Sequence, residues 1–328
     1  MRGTLISISS SSWIGAWMGL EINLLRFIPI IANRKNVFST ESSIKYFLIQ
    51  ALASTSFLFR VISLIIINRI REFYIFNWSL TIILNSSLLL KIGAAPLHFW
   101  FPEVLNKLNW LQRIILLTWQ KIAPIILLSL IIDKRIFTYF IIISSVIVGR
   151  ILGLNQIFMQ KILAYSSINH MGWIITRIII IENIWLSYFI VYSLITVRII
   201  IVLKILNIFN MKQLFTNINN SILIKFSFII NFLSLGGLPP FIGFLPKWIV
   251  IQNIMNENIV TIMLIIIFIA LVTLFFYIRL TFSVLILSYE ENNWKANNKN
   301  LKNKKTLFFT NIISLLGLIF STLVINII

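Results

Sequence analysis

Ten apolar runs follow one another along the chain, at 12–32, 42–67, 75–93, 110–132, 136–154, 158–181, 184–209, 222–254, 257–288 and 306–328. A helix needs about 20 such residues to cross the hydrocarbon core of a bilayer. Residues 1–11 are too short to span and read as a stub. No ten-residue stretch alternates with period two, which argues against a barrel. Composition agrees: 59% of residues are hydrophobic and 11% charged, where soluble chains average about 45–50% and about 25%. The expectation is an all-α polytopic membrane protein with about ten full transmembrane helices plus a truncated first helix. Residues 1–328 are expected to form a single transmembrane domain.

Two of the runs are interrupted. "LLLKIGAAPLHFWFP" (88–102) carries Gly93 and Pro96. "NFLSLGGLPPFIGFLPKW" (231–248) carries Gly236, Gly237, Pro239 and Pro240. In lipid every backbone N–H and C=O needs a partner, so a broken helix persists only where protein or water supplies one. Either break alone could be a packing kink. As a matched pair, each with a lysine close by, they point to two inverted repeats, each with a discontinuous helix lining an ion path. Lys91 precedes the first break and Lys247 follows the second.

A charge at a helix centre costs about 2.5–3.5 kcal/mol on insertion scales, so each buried one is a functional candidate. Glu21, in "WMGLEINLL", is the only acid well inside a full run. Lys121, in "LLTWQKIAP", precedes Pro124, and His170 lies in "AYSSINHMGW". A lysine taken out of water loses stability in its charged form, and a nearby carboxylate restores it. Glu21, Lys91, Lys121, His170 and Lys247 thus read as proton stations, with Glu21 expected nearest Lys91. His98, in "PLHFW", could instead cap broken-helix carbonyls.

Other chemistry is missing from the pattern. There is no phosphate loop, no dinucleotide fingerprint, no HExxH and no clustered carboxylates. With no cysteine, disulfides and iron–sulfur or thiolate zinc ligation are excluded. The chain is expected to carry no cofactor and no metal. The net charge is +19, but many of the basic residues lie inside apolar runs, so it does not read as a nucleic-acid footprint. The loop 288–305 holds Lys295, Lys299, Lys302, Lys304 and Lys305. It is expected on the matrix or cytoplasmic side. No secretory or transit signal is visible at the N-terminus.

"WIGAWMGLEINLL", "LLLKIGAAPLHFWFPEV", "LLTWQKIAP", "KILAYSSINHMGW" and "NFLSLGGLPPFIGFLPKW" together resemble the mitochondrially encoded, antiporter-like membrane subunits of respiratory complex I, NADH–ubiquinone oxidoreductase. The resemblance runs from about residue 3 to the end. It implies a fold of two inverted five-helix repeats and a part in redox-driven proton pumping, with electrons carried elsewhere in the complex. By motif, it places Glu21, Lys91, Lys121 and Lys247 on a central proton axis, and matches His170 to the family's histidine after "SSI". It implies other membrane-arm subunits as partners, a lipid bilayer, protons and internal water, and a multi-pass location in the mitochondrial inner membrane. Residues 1–11 match the end of the family's first helix, so the start reads as truncated. Two other readings stay open: a subunit of a multi-subunit sodium/proton antiporter, and a scaffold whose buried charges only specify packing.

The arginines depart from this pattern. Arg26, Arg60, Arg113, Arg150, Arg177 and Arg198 lie in or near the ends of spans, with no acidic partner at helical spacing. Side chains near the interface can snorkel to water, but not all six. "NLLRFIP", "WIITRIII" and "LITVRII" read naturally with serine, and the chain has about seventy isoleucines against 7 methionines. One cause accounts for both. The invertebrate mitochondrial code reads AGA as serine and ATA as methionine, where another code reads arginine and isoleucine. Most of the six are therefore expected to be serine in the living protein. Arg279, in "FFYIRL", matches a family arginine and is expected to be real.

Overall fold

The computed structural model describes residues 2–33, 36–69, 76–132, 136–180, 185–217, 222–257 and 260–286. Fourteen helices lie in this range: α1 (Arg2–Ser9), α2 (Trp13–Ile31), α3 (Val37–Arg69), α4 (Phe76–Ile92), α5 (Trp100–Lys107), α6 (Trp110–Leu117), α7 (Trp119–Ser129), α8 (Ile136–Leu154), α9 (Met159–Ile180), α10 (Trp185–Leu206), α11 (Met211–Asn217), α12 (Ile222–Gly236), α13 (Phe244–Asn256) and α14 (Val260–Ile286). The all-α expectation holds. Six segments are long and apolar enough to cross a membrane: α2, 37–66 of α3, α6 with α7, α8, α10 and 261–282 of α14. The 22-residue α9 is equally long but carries Gln160, Lys161, Asn169 and His170. The basic loop 288–305 and the last expected span, 306–328, lie outside the described residues.

The chain forms two compact units. One comprises residues 1–149 with 167–172, the other residues 150–166 with 173–328. Each contains one discontinuous helix: α4/α5 in the first, α12/α13 in the second.

In the first unit α1 packs along α2, although it is only two turns long. Glycines permit it: a Cβ on Gly3 would lie 2.8 Å from the Gly19 carbonyl oxygen, and one on Gly19 would strike the Ser7 backbone. α2 starts at Ser12, whose hydroxyl accepts from the Gly15 N–H at 3.2 Å. Such a cap satisfies one of the four unpaired donors at a helix start. α2 ends beyond Pro29, where Gln112 of α6 donates to the Ile30 carbonyl at 2.6 Å. The core between these helices is apolar and aromatic. Phe27, Tyr46 and Trp100 meet in a row, the first pair edge-on and the second tilted, with centroids 5.4 and 5.9 Å apart. In the second unit α14 packs on α12, α13 and α11, and α10 on α12 and α13. The backbone hydrogen bonds Met159 N–H to Phe209 O (2.9 Å) and Met211 N–H to Ile157 O (3.0 Å) tie the start of α9 to that of α11. Leu25, Leu52, Phe59, Phe268 and Phe275 are exposed, as side chains facing lipid must be.

Hydroxyls inside the spans satisfy themselves. Ser87, Ser145 and Ser166 are buried and donate to the carbonyl three residues back, at 2.7, 2.9 and 2.8 Å. The span arginines differ. Arg177 is 0% exposed, and its Nε, Nη1 and Nη2 have no hydrogen-bond partner among the described residues. Arg60 is buried with Nε and Nη1 in the same condition. Among the described residues neither they nor Arg26 and Arg198 form a salt bridge. A buried cation without a partner costs several kcal/mol, whereas a serine at either place would bond its own helix as Ser145 does. Arg113 is the contrast: its Nε donates to the Leu105 carbonyl at 2.9 Å and its guanidinium lies 4.2 Å over the Trp110 ring. The expectation is serine at 60 and 177 of the native chain. Peptide mass spectrometry decides it, since trypsin would not cut after residue 177, and arginine found there would refute the recoding.

Candidate functional site

Both expected breaks are present, and both close the same way. α4 stops at Ile92. Gly93 follows at φ +77°, and the Ala94 N–H reaches back to the Leu89 carbonyl at 3.1 Å. α12 stops at Gly236. Gly237 follows at φ +79°, and the Leu238 N–H reaches the Leu233 carbonyl at 3.4 Å. This is a glycine in the left-handed region with a six-to-one bond across it, the usual way to end a helix cleanly.

The remaining carbonyls find different partners in the two units. At the first break neutral side chains supply them. Trp100 Nε1 donates to the Leu90 carbonyl at 3.2 Å and Gln50 Nε2 to that of Lys91 at 3.4 Å. Ser144 Oγ donates to the Ala95 carbonyl at 3.2 Å. His98 Nδ1 lies 3.2 Å from the Pro96 carbonyl, so this side chain does sit on a carbonyl of the break. At the second break the lysine itself is the cap. Lys247 Nζ donates to the carbonyls of Leu235 at 3.1 Å and Gly236 at 2.7 Å. It also lies 5.9 Å from the Trp173 ring centroid. A Cβ on Gly237 would come within 2.8 Å of Lys247 Cδ, and one on Gly243 would collide with the Ser234 carbonyl oxygen. The glycines therefore make room for the ammonium as well as the turn.

The expected ionisable residues are buried, apart from a half-buried Glu21. Lys91 on α4 is 8% exposed, Lys121 on α7 2%, His170 on α9 5% and Lys247 on α13 5%. Glu21, Lys91, Lys121 and His170 belong to the first unit and Lys247 to the second. The Glu21 charge acts on Lys91 through space, without an ion pair within 4.0 Å. Lys121 Nζ lies 4.6 Å from the Phe101 ring centroid, and Phe101 is the side chain packed on Gly93. Lys121 is thus seated against the first break.

The sequence gives little warning of two features. The run 110–132 is not one helix: it is interrupted at Thr118, with φ −114° and ψ −72°, three residues before Lys121. Pro124 then lacks the N–H that would bond the Gln120 carbonyl, which is the one local signal. The second feature is a polar cavity of about 20 Å³ in the first unit, lined among others by Asn23, Tyr46, Gln50, Lys91, Gln120 and Pro124. Asn23 Nδ2 donates to Gln120 Oε1 at 2.6 Å. These amides stand in "EIN", "IQAL" and "WQK". Their only signal was polarity within an apolar run.

Comparison with known proteins places this geometry. The family described as "NADH:quinone oxidoreductase/Mrp antiporter, TM" matches residues 10–273, and "NADH dehydrogenase subunit 2 C-terminus" matches residues 274–325. NADH-ubiquinone oxidoreductase chain 2 of Anopheles gambiae is 45% identical over 98% of this chain and 94% of its own length. The protein of the same name from Locusta migratoria is 43% identical over 97% and 93%. A chain of respiratory complex I from Thermus thermophilus with bound aureothin superposes with a TM-score of 0.84 at 22% identity. That match covers 96% of this chain and 75% of that one. A chain of the Mrp complex from Dietzia gives 0.72 at 15% identity, covering 85% and 57%.

The glycine at the second break is open to test. Gly237→Ala would place a side chain in the left-handed region, at about 1–2 kcal/mol, and push it onto Lys247. The expected result is a marked loss of assembled protein on native gels, larger than that from Gly153→Ala, where an added Cβ meets only Tyr165 Cβ at 3.4 Å.

Proposed function

The chain belongs to the family of NADH-ubiquinone oxidoreductase chain 2, and on that premise we propose that it passes protons across the mitochondrial inner membrane through its own buried lysines, glutamate and histidine. It is a membrane subunit of respiratory complex I and acts as part of a multi-subunit NADH:ubiquinone reductase. Its setting is a mitochondrial membrane. Lipid surrounds it there, and neighbouring membrane subunits flank it. In this reading electrons and their cofactors stay in other subunits.

The observation that carries the proposal is a buried lysine at each helix break. Lys91 precedes the turn at Gly93, and Lys247 reaches back to the turn at Gly237. A lysine in a low-dielectric setting exchanges its proton readily when a neighbouring charge changes. Glu21 is such a charge for Lys91. Lys121 stands at the interruption after Thr118, with its ammonium on Phe101. His170 adds a group able to take or give a proton at physiological pH. Lys247 holds two carbonyls with two of its three donors. A neutral Lys247 amine would keep two N–H donors for these carbonyls but without the charge that strengthens both bonds, and this couples protonation to the strength of the helix cap.

The match of residues 274–325 to the C-terminal family of NADH dehydrogenase subunit 2 speaks against a sodium/proton antiporter, whose members share the fold. A pure scaffold role is separated by mutation. Lys121→Met, nearly equal in length, is expected to lower proton pumping and ubiquinone-linked turnover by at least about a hundredfold, the low end for loss of a proton-transfer group. NADH oxidation by an artificial acceptor should persist. Normal pumping in assembled Lys121→Met complex, or loss of assembly alone, would sink the relay.

A further inference from the structure

Two connections of the second unit meet where spans end. α8 and α10 are both long and apolar enough to cross a bilayer, and they stop at Leu154 and Leu206. The short non-helical stretches that follow pair with each other. The Met159 N–H donates to the Phe209 carbonyl and the Met211 N–H to the Ile157 carbonyl, which sets Phe158 and Asn210 directly opposite one another. In an antiparallel pair bonded this way the opposed side chains share a face, with Cβ atoms about 4.5–5.5 Å apart. A phenyl ring and an amide, distant in the chain, are thus fixed side by side.

Lys161 joins them. Its Nζ lies 5.7 Å from the Phe158 ring centroid, within cation–π range. Among the described residues that ring is its one partner, and no carboxylate meets it. The Asn210 side-chain amide makes no hydrogen bond among the described residues, and its Oδ1 is buried. Lys204, in the last turn of α10, and Lys212, in α11, flank the corner and are exposed. Residues 150–166 and 201–217 hold no Asp or Glu. Three lysines without an acid put this corner on the matrix side by the positive-inside rule. Leu154, Ile157, Phe158 and Phe209 are exposed beside them.

Lysines and aromatic rings line membrane boundaries in general. Three things set this corner apart: a hydrogen-bonded ribbon, an ammonium held on a ring without an anion, and an unbonded amide with a buried oxygen. Buried polar atoms are almost always hydrogen-bonded, so the amide oxygen calls for a donor as the lysines call for an anion. We propose that Lys161, Phe158 and Asn210 seat the headgroup of an anionic phospholipid of the matrix leaflet that carries a headgroup hydroxyl. Its phosphate lies against Lys161, with Lys204 and Lys212 adding charge around it. Its hydroxyl donates to Asn210 Oδ1, which a choline headgroup, having no N–H or O–H, cannot do. Its acyl chains run along the exposed apolar side chains. Basic pockets at the matrix ends of membrane helices take such headgroups. An acidic protein segment would satisfy the lysines, but the exposed Ile157, Phe158 and Phe209 favour acyl chains. The site uses none of the relay residues and stands whether or not the relay does.

The test uses intact complex in phosphatidylcholine nanodiscs that contain a photoreactive phosphatidylglycerol. Labelling is expected within residues 155–161 or 207–213 of the unmutated chain, displaced by added phosphatidylglycerol and not by phosphatidylcholine. Lys161→Gln should raise the phosphatidylglycerol needed for half-maximal labelling about fivefold, the weight of one basic residue at an anionic surface. Asn210→Leu should raise it as well, although it alters no charge. Lys45→Gln should leave it unchanged, since that exposed lysine already meets Glu41 and Glu103. No labelling of either segment in the unmutated complex would overturn the site, whether or not the variants assemble. Unchanged labelling in Asn210→Leu would reduce it to unspecific attraction and overturn it too. Loss of a protein subunit from Lys161→Gln, with labelling unaltered, would assign the corner to an acidic protein partner and overturn the lipid.

Discussion

Every backbone N–H and C=O in this chain that lies at membrane depth must find a partner inside the protein, because hydrocarbon offers none. A continuous helix meets that demand by itself. The two places where helices stop meet it with side chains, and the structure around them follows from which side chains are used. At Gly93 the donors are Trp100, Gln50 and Ser144, all neutral. At Gly237 the donor is Lys247. The first arrangement leaves the Lys91 ammonium uncommitted among the described residues. The second ties a charge to the backbone.

That difference separates two lysines that look equivalent along the chain. Lys91 answers to a distant charge, Glu21, and lies against a polar space. Lys247 is bonded to the end of the helix it follows, with Trp173 beneath it. A proton leaving Lys91 changes an electrostatic balance. In the proposed relay, one leaving Lys247 would also take the charge out of two hydrogen bonds to a helix terminus. A chain that must move protons and respond to a partner's state has a use for both kinds of group.

The arginines illustrate the same constraint from the other side. Arg113 is compatible with burial because two carbonyls and an indole ring take up its charge. Arg177, equally buried, has no hydrogen bond to its guanidinium among the described residues. Ser166 on the helix of Arg177 and Ser145 on α8 show how a small polar residue survives there, by bonding three residues back. Burial without partners is a physical inconsistency, and it singles out positions where the written residue and its surroundings disagree.

Much of the fold was legible because membrane spans impose a length and because Gly and Pro have few reasons to interrupt them. The stub, helix in nine of the ten runs and both breaks follow from that, although the run 110–132 is interrupted at Thr118 and the tenth run lies outside the described residues. The charged candidates were legible for the same reason, since a Glu, Lys or His within an apolar run is costly. Amides are less costly, so Asn23, Gln50 and Gln120 carried too weak a signal to be singled out, and their contacts join α2 to α7 and α3 to α4, far apart in sequence. The interruption at Thr118 and the capping role of Lys247 were equally out of reach. Sequence by itself determined where the chain crosses, where it breaks and which residues pay for being charged. Only the tertiary structure decided which side chain satisfies which carbonyl, because that depends on neighbours brought together by packing and not by spacing along one helix.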